Sequence, residues 1–255
     1  MAGILNGTKG LVVGIANAQS IAYGCAEAFR KEGAALAVTY LNEKTRTYTE
    51  PLRDALQAEL YLPCDVREPD QEAALFEAIR QKWGRLDFLL HSIAFAPRED
   101  LHGRVTDCSK EGFDMAMNVS CHSFIRMVRA AEPLMAEGGA VMTMSYYGAE
   151  KVVDGYNLMG PVKAALEASV RYMAVELGPR NIRVYALSPG PMKTRAASGI
   201  DRFDELMERA AARAPRHALV TTEQVGTVAA FLASKGADGM TGEIIHVDNG
   251  FNVVG

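Results

Sequence analysis

A tyrosine and a lysine seven residues apart, Tyr156 and Lys163, are the pair in this sequence best suited to act together chemically. They lie in YNLMGPVK, a segment that reads as the approach to a helix. A phenol can polarise or protonate a substrate oxygen, and an ammonium can hold the hydroxyls of a sugar. Hydride transfer from a nicotinamide dinucleotide needs both groups. A core tyrosine and an exposed lysine on one helix are the ordinary alternative, so the context must decide.

The elements around this pair follow a regular alternation of short apolar runs and longer amphipathic segments. Several runs are apolar at successive positions, as expected for strands covered by helices on both faces. Strands are predicted at 9–15, 34–40, 58–64, 86–92, 139–145, 182–188 and 243–249. Helices are predicted at 21–32, 43–57, 68–83, 111–137, 158–178, 202–213 and 222–234. The alternation predicts one α/β domain over 1–255, a Rossmann-type doubly wound parallel sheet of about seven strands with helices on both faces.

Composition restricts the class of protein. The chain has 255 residues, 49% hydrophobic and 23% charged, a size at which one domain buries a large core. The net charge of −4 argues against nucleic acid or an anionic membrane surface as the partner, and no apolar run is long enough to span a bilayer. The four cysteines form no CxxC pair and have no histidine at zinc-ligand spacing. We expect a cytoplasmic protein with reduced thiols and no metal.

The first strand-to-helix turn is suited to bind phosphate. Gly14 ends the strand, Ser20 is a candidate N-cap, and Ile21 opens a helix that has Gly24 near its start. This order places unpaired backbone N–H groups and the positive helix end beside a docked pyrophosphate. We interpret Gly14 as a tight turn and Gly24 as close packing of the helix on the sheet. A strand-helix turn with one glycine for geometry is the alternative.

Two later strand ends fit the same ligand. Asp65 and Val66 end the third strand, where the carboxylate can accept from an adenine amino group and the valine can pack on the ring; Asp65 could instead cap the next turn. The small residues of 91–94 permit close approach of the cofactor. At the end of the second strand Leu41 offers neither a carboxylate nor a base, so the residues do not decide between NADH and NADPH.

The stretch 189–201 is the one long irregular segment and follows the sixth strand. In a doubly wound sheet it lies at the carboxyl ends of the strands, where ligands bind. With the short helix after it, the segment at about 189–213 is the candidate substrate-binding loop. A lid over the substrate and a flexible surface connection are both compatible with its composition.

The spacing of the pair also concerns the substrate. Pro161 is tolerated only in a first helical turn, so the helix begins near 157–160 and Tyr156 precedes it. Three extra residues, compared with a four-residue interval, place the phenol up to ~4.5 Å further from Lys163. A donor set back in this way suits an α,β-unsaturated thioester, whose oxygen lies two carbons beyond the carbon that accepts hydride. Met159 occupies the four-residue position and cannot donate a proton, which disfavours simple ketone reduction.

With these motifs the chain resembles the NADH-type enoyl-acyl-carrier-protein reductases of bacterial fatty-acid synthesis, a branch of the short-chain dehydrogenase/reductase superfamily. The resemblance covers nearly the whole chain, and its most specific stretch is SYYGAEKVVDGYNLMGPVKAALEASVRYMA at 145–174. It also includes GIANAQSIAYG, HSIAFAP at 91–97, SPGPMKTRAASGI at 188–200 and GEIIHVDNGF at 242–251.

The resemblance implies a role for individual residues. Tyr156 is expected at the substrate carbonyl, Lys163 on the nicotinamide ribose and Tyr146 in the catalytic site. The cofactor contacts it implies, besides Lys163, are Gly14, Ser20, Ile21, Asp65, Val66, Ile93 and Thr194. The substrate contacts it implies are Ala96, Tyr146, Tyr156, Met159 and Ala196. It favours NAD(H) without excluding NADP(H), and it implies an enoyl thioester on acyl carrier protein as substrate and a homotetrameric assembly.

Several features leave alternatives open. Asn118 occupies a place that is often aspartate in this branch, which motivates a 3-oxoacyl or other carbonyl reductase, although we prefer a structural asparagine bonded to the helix backbone. A non-catalytic NAD(P)-sensing regulator is a further alternative. The apolar tail FNVVG fits a subunit interface or the monomer's own sheet. Near the substrate loop, a set of arginines could meet an acidic carrier protein or form a solvated face: Arg195, Arg202, Arg209, Arg213 and Arg216.

Overall fold

The computed structural model of the chain describes residues 2–192 and 203–254. Within these ranges, seven strands form a single parallel sheet in the order β3-β2-β1-β4-β5-β6-β7. The strands are β1 (Lys9–Val13), β2 (Ala35–Tyr40), β3 (Leu60–Pro63), β4 (Phe88–His91), β5 (Gly139–Met144), β6 (Ile182–Pro189) and β7 (Glu243–Val247). The strand order reverses between β1 and β4, which is where such sheets bind ligands.

Helices connect the strands and cover both faces of the sheet. They are α1 (Ile21–Lys31), α2 (Glu43–Ala55), α3 (Pro69–Trp83), α4 (Arg98–Leu101), α5 (Lys110–Met117), α6 (Ser123–Ala131), α7 (Met159–Leu177), α8 (Phe203–Arg213) and α9 (Thr222–Ala233). Alternate residues of β1 supply two different cores: Leu11 and Val13 pack with α3, α6 and α7, whereas Val12 packs with α1 and α9. This two-sided burial explains why the strands are apolar at successive positions.

The predicted fold class is confirmed, and the predicted strands and most helices agree with the observed elements within two residues at each end. The prediction of one helix over 111–137 is wrong. A π-helical turn at Asn118–His122 separates α5 from α6, and the chain leaves α6 through a 3-10 turn at Glu132–Leu134. π-helical turns are rare and are frequently found at functional sites.

The prediction that Gly24 lets α1 pack closely on the sheet is also wrong, because the close neighbour of Gly24 belongs to another helix. A Cβ at Gly24 would lie 2.7 Å from the Cβ of Thr222, and a Cβ at Gly226 would lie 2.5 Å from the carbonyl oxygen of Gly24. Both contacts are between α1 and α9. The two glycines therefore allow close approach of two helices on one face of the sheet, rather than of a helix and the sheet.

The C-terminal segment closes the monomer and supports α8. Phe251 is buried against Ala210 and Ala214 of α8, and its ring meets that of Tyr147 at a centroid distance of 5.4 Å. Val253, two residues later, is exposed.

All four cysteines are free thiols, as predicted. Among the described residues, no helix combines the length and apolar character needed to cross a membrane.

Candidate active site

The centre of the site is a pair of tyrosines at the carboxyl end of β5. The rings of Tyr146 and Tyr156 meet edge to face, with centroids 4.8 Å apart and planes at 62°. Gly148 makes room for this pair, since a Cβ there would lie 2.3 Å from Cδ1 of Tyr156. Burial raises the pKa of Tyr146 to about 12 and raises that of Tyr156 further above its ordinary value. Both phenols therefore keep their protons at neutral pH and can donate hydrogen bonds.

A left-handed turn delivers Tyr156 to the start of α7. Asn157 has φ of 39°, a conformation that asparagine tolerates better than most residues, and its side-chain amide donates to the carbonyl of Leu101 at 3.1 Å. The helix begins at Met159, with Pro161 in its first turn, as predicted. Met159 is 6% exposed and packs in the same core as Tyr156. An apolar side chain therefore occupies the four-residue position before Lys163.

Lys163 is buried in the second turn of α7. Its side chain is 5% exposed, and its Nζ donates to the carbonyl of Met144, the last residue of β5, at 2.6 Å. Burial lowers the pKa of Lys163 to about 8. This bond holds the amine at the end of β5, two residues before Tyr146.

A carboxylate that the sequence analysis did not single out lies one turn further along α7. Glu167 is buried and accepts a hydrogen bond from the hydroxyl of Ser145, the residue between β5 and Tyr146. Burial raises the pKa of Glu167, and the Ser145 hydrogen bond opposes that rise. The i, i+4 spacing from Lys163 was a signal in the sequence, because such residues share one helix face. Glu167 thus ties α7 to the backbone that carries Tyr146.

A buried histidine supports the neighbouring strand. His91 Nε2 lies 2.7 Å from Ser123 Oγ and its Nδ1 lies 3.3 Å from Thr143 Oγ1. Ser123 already donates its hydroxyl proton to the carbonyl of Val119 at 2.7 Å, so we assign the ring proton to Nε2 and the acceptor role to Nδ1. The pKa of His91 is lowered to about 3, mainly because the ring is buried and further because the positive charge of Lys163 lies nearby. His91 is a neutral structural link between β4, β5 and α6.

The first strand-to-helix turn lies at the switch point of the sheet. Gly14 has φ of 102°, and a Cβ there would lie 2.0 Å from the carbonyl oxygen of Ser92, just after β4. Ser20 occupies the N-cap position of α1, but its hydroxyl donates to the carbonyl of Asn17 at 2.6 Å and makes no capping bond. The start of α1 at Ile21 is therefore left without a side-chain cap, which fits an anion as the partner of its N–H groups.

Asp65 and Val66 follow β3 rather than end it. The Asp65 carboxylate accepts from Arg67 Nε at 2.9 Å and from the Arg67 backbone N–H at 3.0 Å. These hydrogen bonds, with the guanidinium as the largest cause, lower the pKa of Asp65. Asp65 thus caps the local turn, as in the alternative considered above. The second oxygen, Oδ2, accepts from Arg67 Nη2 at 2.5 Å, so Arg67 engages both oxygens and a further donor such as an amino group would have to displace one of these bonds.

Comparison with known proteins decides the family. A sequence profile described as enoyl-(acyl carrier protein) reductase matches residues 14–252. The enoyl-[acyl-carrier-protein] reductase [NADH] FabI of Rickettsia felis is 46% identical over 99% of this chain and 97% of its own length. The chain belongs to the enoyl-acyl-carrier-protein reductase family.

Solved structures of family members agree with this assignment. The Anaplasma phagocytophilum reductase, in complex with NAD, has a TM-score of 0.96 at 44% identity and covers 100% of this chain and 97% of its own. The Bacillus cereus reductase, in complex with NADP+ and indole naphthyridinone, has a TM-score of 0.97 at 43% identity and covers 99% of both chains. The family predicted from the sequence motifs is therefore confirmed.

In this member of the enoyl reductase family, the predicted site residues within the described ranges lie near the carboxyl ends of the strands. Ile93, Ala96 and Tyr146 are half-buried and pack against the core that contains Tyr156 and Met159. The residues after β1, β3, β4 and β5 lie on the same side of the sheet because parallel strands all end on that side. The predicted contacts Thr194 and Ala196, together with Arg195, Arg202 and part of the loop predicted as a lid, lie outside the described residues.

Asn118 has a different partner from the one expected. Its Oδ1 accepts from Arg126 Nη1 at 2.8 Å, so its side chain bonds a guanidinium and not the helix backbone. The predicted partner is therefore wrong, and the Asn118 side chain holds a cation instead. Sequence reasoning did not single out Arg126, because two of its partners, Val66 and Glu72, are distant in the chain.

Proposed function

We propose that this protein reduces the trans-2 double bond of enoyl-acyl-carrier-protein thioesters in fatty-acid elongation, with NADH as the reductant. The observation that carries the proposal is the arrangement at the end of β5: two protonated phenols in edge contact, a buried lysine bonded to the last residue of the strand, and a methionine where a ketone reducer would need its donor. The names of the relatives at 44–46% identity support the same reaction.

The residues present fit a nicotinamide dinucleotide. The glycine turn after β1 leaves no room for a side chain at the switch point, and the uncapped start of α1 favours a pyrophosphate. Gly14, Ser20 and Ile21 would hold the phosphates, Asp65 and Val66 the adenine, and Ile93 and Lys163 the nicotinamide ribose end. Bound NADH supplies the hydride that reduces the substrate double bond.

The protein's own groups act on the oxygen of the thioester. Its carbonyl gains negative charge as the β-carbon is reduced, and the Tyr156 hydroxyl donates a hydrogen bond to the resulting enolate oxygen, directly or through one water. The Tyr146 hydroxyl is buried and without a partner among the described residues, which makes it a second donor available to the substrate. The positive charge of Lys163 favours the same anion, and Met159 and Ala96 border the acyl chain.

The preference for NADH rests on relatives whose names specify it, because the end of β2 carries no decisive group. Leu41 is exposed there, and the nearby carboxylate of Glu43 is engaged with Arg46 at 3.4 Å. NADPH remains the alternative cofactor, in keeping with the NADP+ held by the Bacillus cereus relative.

We further propose a cytoplasmic homotetramer that meets acyl carrier protein near α8. On α7, Pro161, Ala164, Tyr172 and Val175 follow the spacing of one helix face; Tyr172 and Val175 are 75% and 79% exposed. An apolar face of this kind favours self-association.

At α8, Arg209 is exposed, whereas the guanidinium of Arg213 bonds the carbonyl of Val254 and stacks on Phe251. Arg209 is thus more available to an acidic carrier than Arg213.

The decisive experiment follows NADH and NADPH oxidation with a medium-chain trans-2-enoyl thioester, carried either on acyl carrier protein or on coenzyme A. We expect turnover with NADH and a lower KM for the carrier-bound substrate. Arg209→Glu should raise KM for the carrier-bound substrate alone, with Lys82→Glu on α3 as the control. Turnover of a 3-oxoacyl thioester without turnover of the enoyl substrate would establish the carbonyl reductase instead. Cofactor binding without any turnover would establish the sensor.

A further inference from the structure

One guanidinium joins three elements near the adenine end of the proposed cofactor site. Arg126 of α6 donates through Nη2 to the carbonyl of Val66 at 2.5 Å. Its Nη1 donates to Asn118 Oδ1 at 2.8 Å and to His122 Nδ1 at 3.2 Å, both in the π-helical turn. Its Nε lies 3.5 Å from Glu72 Oε2 in the first turn of α3. A planar fork with partners on several sides is held in a single orientation.

The ion pair in this cluster is mostly enclosed. The side chains of Arg126 and Glu72 are 28% and 11% exposed. Burial raises the pKa of Glu72, and the Arg126 charge opposes that rise. Because a buried carboxylate needs a cation nearby, Glu72 keeps the guanidinium at this place.

The chain after β3 needs such an attachment. β3 is four residues long and lies at the edge of the sheet, so it has one neighbouring strand, β2. Beyond it, the backbone N–H of Cys64 donates to the carbonyl of Tyr40 at 2.9 Å, and the backbone N–H of Asp65 donates to Gln71 Oε1 at 2.9 Å. The Val66 carbonyl accepts a hydrogen bond from Arg126, which comes from α6.

The π-helical turn is bound on its other side to the loop after β4. Ser120 Oγ accepts from the Phe95 backbone N–H at 2.8 Å and donates to the Phe95 carbonyl at 3.0 Å. One turn of helix thus holds the loops that follow β3 and β4, and both loops carry proposed cofactor contacts. A π-helical turn at such a junction agrees with the frequent occurrence of these turns at functional sites.

We propose that Arg126 is a positioning residue for the adenosine half of the cofactor, which it serves by fixing the turn at Asp65 and Val66 against the π-helical turn. The inference rests on the proposed cofactor site but not on the identity of the acyl substrate. Arg126 acts through Val66 and not on the reacting atoms. It should therefore affect binding of the adenosine half, and leave the chemistry at Tyr156 unchanged.

The test measures the affinity of Arg126→Met for ADP-ribose, for AMP and for reduced nicotinamide mononucleotide, by calorimetry or fluorescence. Loss of a charged hydrogen bond predicts Kd values for AMP and ADP-ribose about tenfold higher, with the mononucleotide unchanged. KM for NADH should rise by a similar factor, while kcat at saturation and its pH profile stay as in the wild type. Arg126→Lys, which keeps one cationic donor, should give an intermediate AMP affinity.

Two further variants make the result decisive. Arg129→Met removes an exposed arginine from the same helix and should change none of these values. Glu72→Gln combined with Arg126→Met avoids leaving a buried carboxylate without its cation, so it tests the same contact if the single variant folds poorly. Unchanged AMP affinity in a folded variant overturns the proposal, as does an equal loss of mononucleotide affinity. These binding outcomes do not depend on enoyl turnover, so a failure of the proposed reaction is recognised separately.

Discussion

The ring of Tyr156 is held edge-on by the ring of Tyr146, at a centroid distance of 4.8 Å. The two hydroxyls differ from ordinary surface phenols because burial raises the pKa of each. A pair of protonated donors at one strand end is suited to stabilise an oxyanion, and not to remove a proton.

Replacement of Tyr156 by Phe tests this role. Loss of an oxyanion donor should lower kcat by ~10²-fold while the Kd for NADH stays within about twofold. Single-turnover measurements with an enoyl thioester report the chemical step directly. Tyr146→Phe should also lower kcat, whereas a large rise in the Kd for NADH in either variant would contradict the assigned role.

Gly148→Ala tests whether the pair must keep its geometry. The new methyl group would lie 2.3 Å from Cδ1 of Tyr156, so the ring must shift. Overpacking of this kind costs about 1–3 kcal/mol of stability, and displacement of the Tyr156 hydroxyl should lower kcat by roughly tenfold or more. Gly178→Ala is the matched control, because a Cβ there meets nothing within 4 Å. Equal activity of the two variants would show that ring position is not limiting.

Lys163 predicts a decline of activity at alkaline pH. Its pKa is lowered to about 8, so the charged form predominates below that pH and is lost above it. We expect kcat/KM for NADH, which reports the free enzyme, to fall as pH rises through about 8. Steady-state rates between pH 6.5 and 9.5 measure this, with protein stability monitored in parallel. A flat profile over that range would argue that the charge is not needed.

His91 predicts a loss of stability in acid. Its folded-state pKa of about 3 lies below the ordinary 6.5, so the unfolded chain binds a proton that the native protein excludes. Stability from this group is complete above pH 6.5 and declines as pH falls from 6.5 towards 3. Between pH 6.5 and 5 the free energy of unfolding should fall by about 2 kcal/mol from this source. Denaturant titrations should find this decline missing in His91→Asn and kept in His217→Asn, which replaces an exposed histidine.

The order of elements could be predicted because burial on both faces of the sheet makes each strand an apolar run. The start of α7 could also be placed, since Pro161 restricts where a helix begins. These two features depend on residues that are close together in the sequence. The family motif then placed Tyr156 just before α7 and Lys163 within it.

The π-helical turn could not be predicted because its causes are distant in the sequence. Ser120 bonds Phe95, 25 residues away, and Arg126 bonds Val66, 60 residues away. The apolar periodicity continues through α5 and α6, so the sequence reads as a single helix. The packing partner of Gly24 could not be predicted for a similar reason, since its close neighbour, Thr222, comes from the far end of the chain.

The π-helical turn also sets the rotational phase of everything after it. Each helical residue advances by about 100°, so deleting one residue from 118–122 to restore a regular α-helix would rotate α6 by about that angle. Arg126 would then point away from Val66, and Ser123 away from His91. A length change at a single position would thus disconnect two loops and a buried histidine at once, although no residue of the catalytic pair had been altered.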